Sequence, residues 1–365
     1  MNLADTLVYA DIRQLRQLAT SCGLTCNLHS KHDLIQNLHN RLTSLPFCRE
    51  MQEKLTWEEK RFLLSLIFEA RKEYSREALL SRARKSFKED IQHDEHERLV
   101  ERVLKCGWLF RMQKPHSTVY AIPSDLQRRW RDIFVKEVRD AAYGNYTKPD
   151  LYRDDTYVMA HDVQQLLRFV QTNRVPLSKE GVMYRRQQQK LMDLMAVREN
   201  PVDGKEWRFG YGRRFRNYPD RLALLYDYTY HQQWLRERAE GLTLTEEGMR
   251  QALAQEWEKE ERANSLVTFW LLSYKKAIPA IESLWMFIVS ICEPEWLDEE
   301  SLVHALQNWV CPFYYDTEEE VVRRRLLSMM VYLGILSRGM VTADSPVYLV
   351  TNWGKSLLNR TQHCK

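Results

Sequence analysis

Gly354-Lys355-Ser356 opens an apolar run near the end of the chain. Such a triplet is the second half of a phosphate-binding loop. The complete loop needs another Gly five residues earlier, so that successive backbone N–H groups line a concave nest for phosphate. Position 349 is Leu, within the strand-forming run Val347-Tyr348-Leu349-Val350. Nucleotide chemistry is therefore not expected. Thr351 is expected to cap a helix, with Lys355 and Ser356 on its surface.

Cys22, Cys26, His29 and His32 follow the spacing C-x3-C-x2-H-x2-H and would offer four zinc ligands. Structural zinc sites usually separate two ligand pairs by a longer loop, and these residues also fit a metal-free helical hairpin. The other histidines are dispersed, and no H-E-x-x-H or Ser/His/Asp spacing occurs. Asp154-Asp155 is the best carboxylate pair and reads as loop; Glu258, Glu260 and Glu261 read as a solvated helix face. No catalytic group, cofactor or metal is expected, and the chain reads as a non-enzyme.

Binding chemistry is better represented. Tyr184-Arg185-Arg186-Gln187-Gln188-Gln189-Lys190 has cations and amides without an acid. Residues 207–218, WRFGYGRRFRNY, interleave Arg208, Arg213, Arg214 and Arg216 with aromatics, again without an acid. Cations neutralise phosphates, and rings beside Arg stack on exposed bases. The open alternative is that the aromatics pack inward and the arginines solubilise a hairpin. Lys31 is a further candidate contact, at the start of an N-terminal helix.

Elements must hold these residues in place. Ile12, Leu15, Leu18 and Ala19 form a helical stripe ended by Gly23-Leu24, and Ser30 is placed to cap a second helix burying Leu34, Ile35 and Leu38. Further on, Val350-Thr351-x2-Gly354, Leu244-Thr245-x2-Gly248 and Leu177-Ser178-x2-Gly181 repeat one pattern, with Tyr120–Leu126 a looser relative. Each is expected to end a strand at a hydroxyl that caps the next helix, with Gly allowing a close backbone approach. Helical stripes before the first and last copies end in Cys106-Gly107 and Leu333-Gly334. Capping boxes are expected at Thr56/Glu59, Asp94/Glu97 and Thr317/Glu320, and a helix start after Ser75.

The hairpin at 8–41 resembles the SAP-type helix-extended-loop-helix module, which commonly binds DNA. Lys31 matches its basic position, although Ser30 stands where that module usually has Gly. DNA contact and packing both remain open for it. The helix, Gly, strand, hairpin, strand, helix order resembles the winged-helix superfamily in the first and last copies, with a diverged copy around 157–253. The tandem array resembles the helicase-associated N-terminal region of bacterial XPB-type helicases, over most of 56–360. The chain has no GxxxxGK[ST] and no Asp-Glu-x-His element, so the resemblance implies the accessory part without the motor.

The expected fold is mainly α with small β-hairpins (α+β): a SAP-like module at 1–50, winged helices at 51–145 and 256–365, and a diverged one with the basic loop at 146–255. In 365 residues, 44% hydrophobic and 28% charged residues suit several globular domains, and 12 Gly with 11 Pro favour helices. A net charge of +4 permits nucleic acid without demanding it. Seven scattered cysteines suggest no disulfide framework. The N-terminus lacks a signal layout, and 265–292, interrupted by Lys275-Lys276, reads as a buried core helix rather than a membrane span. A soluble, cytoplasmic protein is expected.

A groove-reading winged helix needs a basic third helix. In the first copy Asp94, Glu95, Glu97 and Glu101 outnumber Arg98, Arg102 and Lys105; in the last, Glu318–Glu320 cancel Arg323–Arg325. DNA contact is therefore expected through Lys31, Arg185, Arg186, Lys190, Arg208, Arg213, Arg214 and Arg216. The alternative is a protein scaffold that uses exposed tryptophans such as Trp285, Trp296 and Trp309 and the acidic stretch 293–300.

Overall fold

The computed structural model describes residues 1–69, 71–89, 92–142, 149–202, 207–253, 259–342 and 345–363. The chain is mainly helical with small antiparallel sheets. Four helices, Leu3–Tyr9, Ile12–Ser21, Lys31–Thr43 and Leu45–Glu53, form an N-terminal bundle. Leu15, Leu18, Leu34, Leu38 and Leu42 fill its core. Gly23 takes φ +65° and the Leu24 N–H donates back to the Ala19 carbonyl, closing the second helix. The Asp33 N–H donates to Ser30 Oγ at 3.2 Å, the expected cap.

One topology then recurs three times. The first unit has helices Trp57–Ile67, Arg76–Arg84 and His93–Lys105, then β1 (Phe110–Lys114) and β2 (Ser117–Ala121). After β3 (Leu151–Arg153), the second has helices Val158–Thr172, Arg185–Leu194 and Asp220–His231, then β4 (Leu235–Arg238) and β5 (Gly241–Leu244). The third has helix Ile281–Ile291, β6 (Leu297–Asp298), helix Glu299–Leu306, a long helix over 318–332 containing a π-helical stretch Val321–Leu327, then β7 (Leu336–Thr342) and β8 (Ser345–Val350). In every unit the extended segment after the first helix pairs antiparallel with the second hairpin strand: Tyr74 with Tyr120, Val175 with Leu242, Leu297 with Tyr348.

Each third helix also ends identically. Gly107 (φ +80°), Gln233 (+57°) and Gly334 (+74°) turn left-handed, and the next N–H, of Trp108, Trp234 or Ile335, donates to a carbonyl five residues back. Gln carries a Cβ that glycine avoids there, so the second unit holds this turn against a local steric penalty.

The first and third units pack through helices Trp57–Ile67 and Ile281–Ile291, which are buried on nearly every side. Phe68, Phe287, Trp309, Phe134 and Trp57 interlock there, with Phe287 and Trp309 centroids 4.9 Å apart. β3 pairs with β7, so the chain entering the second unit extends the third unit's sheet. The apolar stretch 265–292 is two helices, Lys259–Tyr274 and Ile281–Ile291, broken across the Lys275–Ala280 turn rather than continuous. No described helix is long and apolar enough to cross a membrane.

Candidate nucleic-acid interface

The Gly-Lys-Ser triplet is part of the scaffold. The Gly354 N–H donates to Thr351 Oγ1 at 2.9 Å, and that hydroxyl donates to the Gly334 carbonyl at 2.7 Å. A Cβ on Gly354 would strike the Ile335 carbonyl oxygen. Thr245 repeats the arrangement: it accepts from the Gly248 N–H at 3.0 Å and donates to the Gln233 carbonyl at 2.8 Å, and a Cβ on Gly248 would strike the Trp234 carbonyl. Lys355 pairs with Glu293 at 2.8 Å. The hydroxyl thus ties the start of one helix to the end of the helix before the hairpin, which is why the hydroxyl and Gly recur together.

Two expected junctions differ. Ser178 caps no helix: it closes a tight turn in which the Ser178 N–H donates to the Val182 carbonyl and Gly181 takes φ +73°. The next helix starts only at Arg185, because Leu177 bridges back to Met183 first. Asp94 makes no capping box; the helix starts two residues earlier than that cap implies, at His93 after Gln92, without a side-chain cap. The boxes at Thr56 and Thr317, and the Ser75 cap, are present.

Residues 207–218 wrap the second unit's third helix, and most of their arginines are engaged. Arg213 makes a two-pronged pair with Glu237 at 2.7 and 2.6 Å. Buried Arg214 reaches the same carboxylate at 2.7 Å and the Glu180 carbonyl at 2.9 Å. The Tyr226 hydroxyl donates to Glu237 at 2.7 Å. Burial alone would raise the Glu237 carboxyl, but these three donors outweigh it and hold it down at about 2. Below them, burial raises the Asp227 carboxyl, against the Arg213 and Arg214 N–H groups that donate to it. Arg208 pairs with Asp220 and donates to the Tyr218 carbonyl at 3.0 Å.

Four of the expected contact residues remain available. Arg185, Arg186 and Lys190 are exposed on helix Arg185–Leu194, and Arg216 is exposed beside the Phe215 ring, 5.6 Å from its centroid. Among the described residues, no carboxylate lies within ion-pair distance of any of the four. Arg214 bonding to Glu180, and the Met183 N–H donating to Tyr218 Oη at 2.9 Å, hold the segment around Arg216 against the turn that leads into this helix. Lys31 belongs to the N-terminal bundle, which packs on the first unit; its Nζ donates to the Val8 carbonyl at 2.8 Å.

Among the described side chains, the third helices present no cluster of unpaired cations. In the first unit Arg98 pairs with Glu95, and Arg102 with Glu59. In the second, residues Arg221 through Thr229 are all buried, with Arg221 paired to Asp162 at 2.6 Å. In the third, Arg323 pairs with Glu299 and Glu300, and Arg325 with Asp316 at 2.8 Å.

The tryptophans named for a protein partner are not exposed. Trp285, Trp296 and Trp309 are buried, and Trp309 meets Trp57 of the first unit edge to face. Within the acidic stretch, Glu293, Glu299 and Glu300 are ion-paired and Asp298 caps the following helix. Among the described residues the exposed tryptophan is Trp207, at 69%. It sits with Tyr314 and Tyr315, a pair the sequence reading passed over although Phe-Tyr-Tyr-Asp, with bulky rings before a turn, was the available signal.

The Cys/His cluster and the carboxylate pair are placed as follows. Cys22 is buried in the bundle core, where burial pushes its thiol up to about 11. Among the described residues, no group of three or more His, Cys, Asp or Glu side chains is placed to hold a metal. Asp155 is buried against Arg153 while Asp154 accepts from the Thr156 N–H, so the pair does not converge on one site. Glu258 lies outside the described residues. The sequence matches no known protein-family model and shows no significant similarity to any curated protein.

Proposed function

We propose that this is a non-catalytic nucleic-acid-binding accessory protein, most suited to DNA, in which three winged-helix units and a SAP-like bundle form a frame and the second unit makes the contact. Support for the winged-helix reading is the order helix, short strand, helix, helix, hairpin, with the first strand paired to the last. The observation that carries the binding role is the set Arg185, Arg186, Lys190 and Arg216, exposed and without carboxylate partners among the described residues. Because the third helices are buried or self-neutralised, contact falls on phosphates rather than base edges.

The test is a polarisation titration of labelled DNA against the protein at several salt concentrations. Replacing Arg185, Arg186 and Lys190 by Gln is expected to weaken binding alike for unrelated sequences and to flatten the salt slope by about 2 to 3. Unchanged affinity, or loss confined to one sequence, refutes it. A second reading, a protein scaffold without nucleic-acid contact, is favoured by the covered third helices; it gains if the purified protein shows no salt-dependent affinity for DNA.

A further inference from the structure

Three large rings crowd one exposed spot. Trp207 is 69% exposed, Tyr314 80% and Tyr315 65%. Trp207 and Tyr315 meet edge to face, centroids 4.6 Å apart. Phe209 lies behind them, 5.3 Å from Tyr315 and 6.2 Å from Tyr314. Aromatic surface is costly to leave in water, and it gathers where something covers it.

The turn that displays the tyrosines is built for display. Phe313 and Asp316 exchange both backbone hydrogen bonds at 3.0 Å, leaving Tyr314-Tyr315 as a two-residue tip. A tip with left-handed backbone at its first residue favours Gly there. Tyr314 adopts φ +53°, a strained state for a bulky residue. The tip is anchored from below: Asp316 receives Arg325 at 2.8 and 3.0 Å, and Arg325 also donates to the Phe209 carbonyl at 2.9 Å. Neither tyrosine is needed to form the turn, so strain held here by an over-determined base points to use.

The charge beside the rings selects the occupant. Phe215 contacts Phe209 at 6.2 Å, and Arg216 follows it without a carboxylate partner among the described residues. Among the described residues, Asp316 at the end of the turn and Asp220 are matched by Arg325 and Arg208. We infer that Trp207, Tyr314 and Tyr315 form a stacking platform for unpaired bases of a single-stranded nucleic acid, whose phosphates run over Arg216. The inference rests on the nucleic-acid reading above and narrows it from strands in general to unpaired ones. Rings give sequence-tolerant affinity because every base has a π face, and the cation follows the backbone.

The test compares a fluorescent thymidine 20-mer with a 20-base-pair duplex, in the full-length protein and two variants. Trp207→Ala removes the indole; Tyr314→Asn with Tyr315→Ser keeps residues suited to the turn. Each variant is expected to weaken single-strand binding about tenfold or more while leaving duplex binding within about twofold. Equal weakening of both ligands, unchanged single-strand binding, or wild-type preference for duplex overturns the platform yet leaves nucleic-acid binding standing. Absence of any nucleic-acid binding sinks both readings. A protein partner lost from the ring variants, with oligonucleotide binding intact, reassigns the patch and also overturns the inference.

Discussion

Replacing Glu237 by Gln removes the charge on which Arg213, Arg214 and Tyr226 converge. Arg214 is the costly partner: its side chain is 8% exposed, so it would stay buried without a counter-charge. Breaking a buried pair from one side costs about 3–5 kcal/mol. Arg213, at 40% exposure, adds little because solvent screens it. Urea unfolding should therefore show a loss of about 3–5 kcal/mol, as a lower midpoint with an unchanged slope. In an Arg214→Met background the same change should cost much less. A loss under about 1 kcal/mol, or equal losses in both backgrounds, would refute the reasoning.

The same carboxylate makes a pH prediction. Its folded value, about 2, lies below the ordinary 4.5. A depressed acid stabilises the fold above its unfolded value and loses that contribution as pH falls through the folded one. Wild-type stability should therefore drop between about pH 4.5 and 2, more steeply than in Glu237→Gln.

Two further outcomes follow from local geometry. Gly354→Ala should destabilise by about 1–3 kcal/mol in denaturant titration, since its Cβ meets the Ile335 carbonyl, whereas Ser356→Ala on the exposed face should be near neutral. Asp316→Asn, leaving buried Arg325 only the more distant Asp220 carboxylate at 3.9 Å, should lower stability by about 3 kcal/mol and raise proteolysis at the Tyr314–Tyr315 tip.

What the sequence disclosed was what depends on neighbours in the chain. Thr56, Ser75, Thr245, Thr317 and Thr351 each cap through an atom three residues on, so their helices and hairpins were readable. The second unit looked diverged because its helix ends on Gln233 instead of Gly, though the backbone makes the same turn. Ser178 carried the right letters, but a strand-like bridge from Leu177 to Met183 took the place of a helix start. The basic aromatic segment was recognisable as composition only. That Glu237, more than twenty residues away, would bind Arg213 and Arg214 is a tertiary fact with no local trace. Likewise Trp309 is buried with Trp57 of the first unit on its ring, a contact that no single segment specifies.

β3 joins residues 151–153 to β7 at 338–340, so the chain between them, the second unit and most of the third, is a loop closed by this ladder. Its two attachment points cannot drift apart unless that ladder unzips. Cutting the polypeptide between the second and third units would not release them, whereas a Pro at Tyr152 would loosen the clasp and strip its ring from buried Trp296. The second unit is thus tied to the third at separate places, among them this short ladder and the Arg325 side chain on the Phe209 carbonyl.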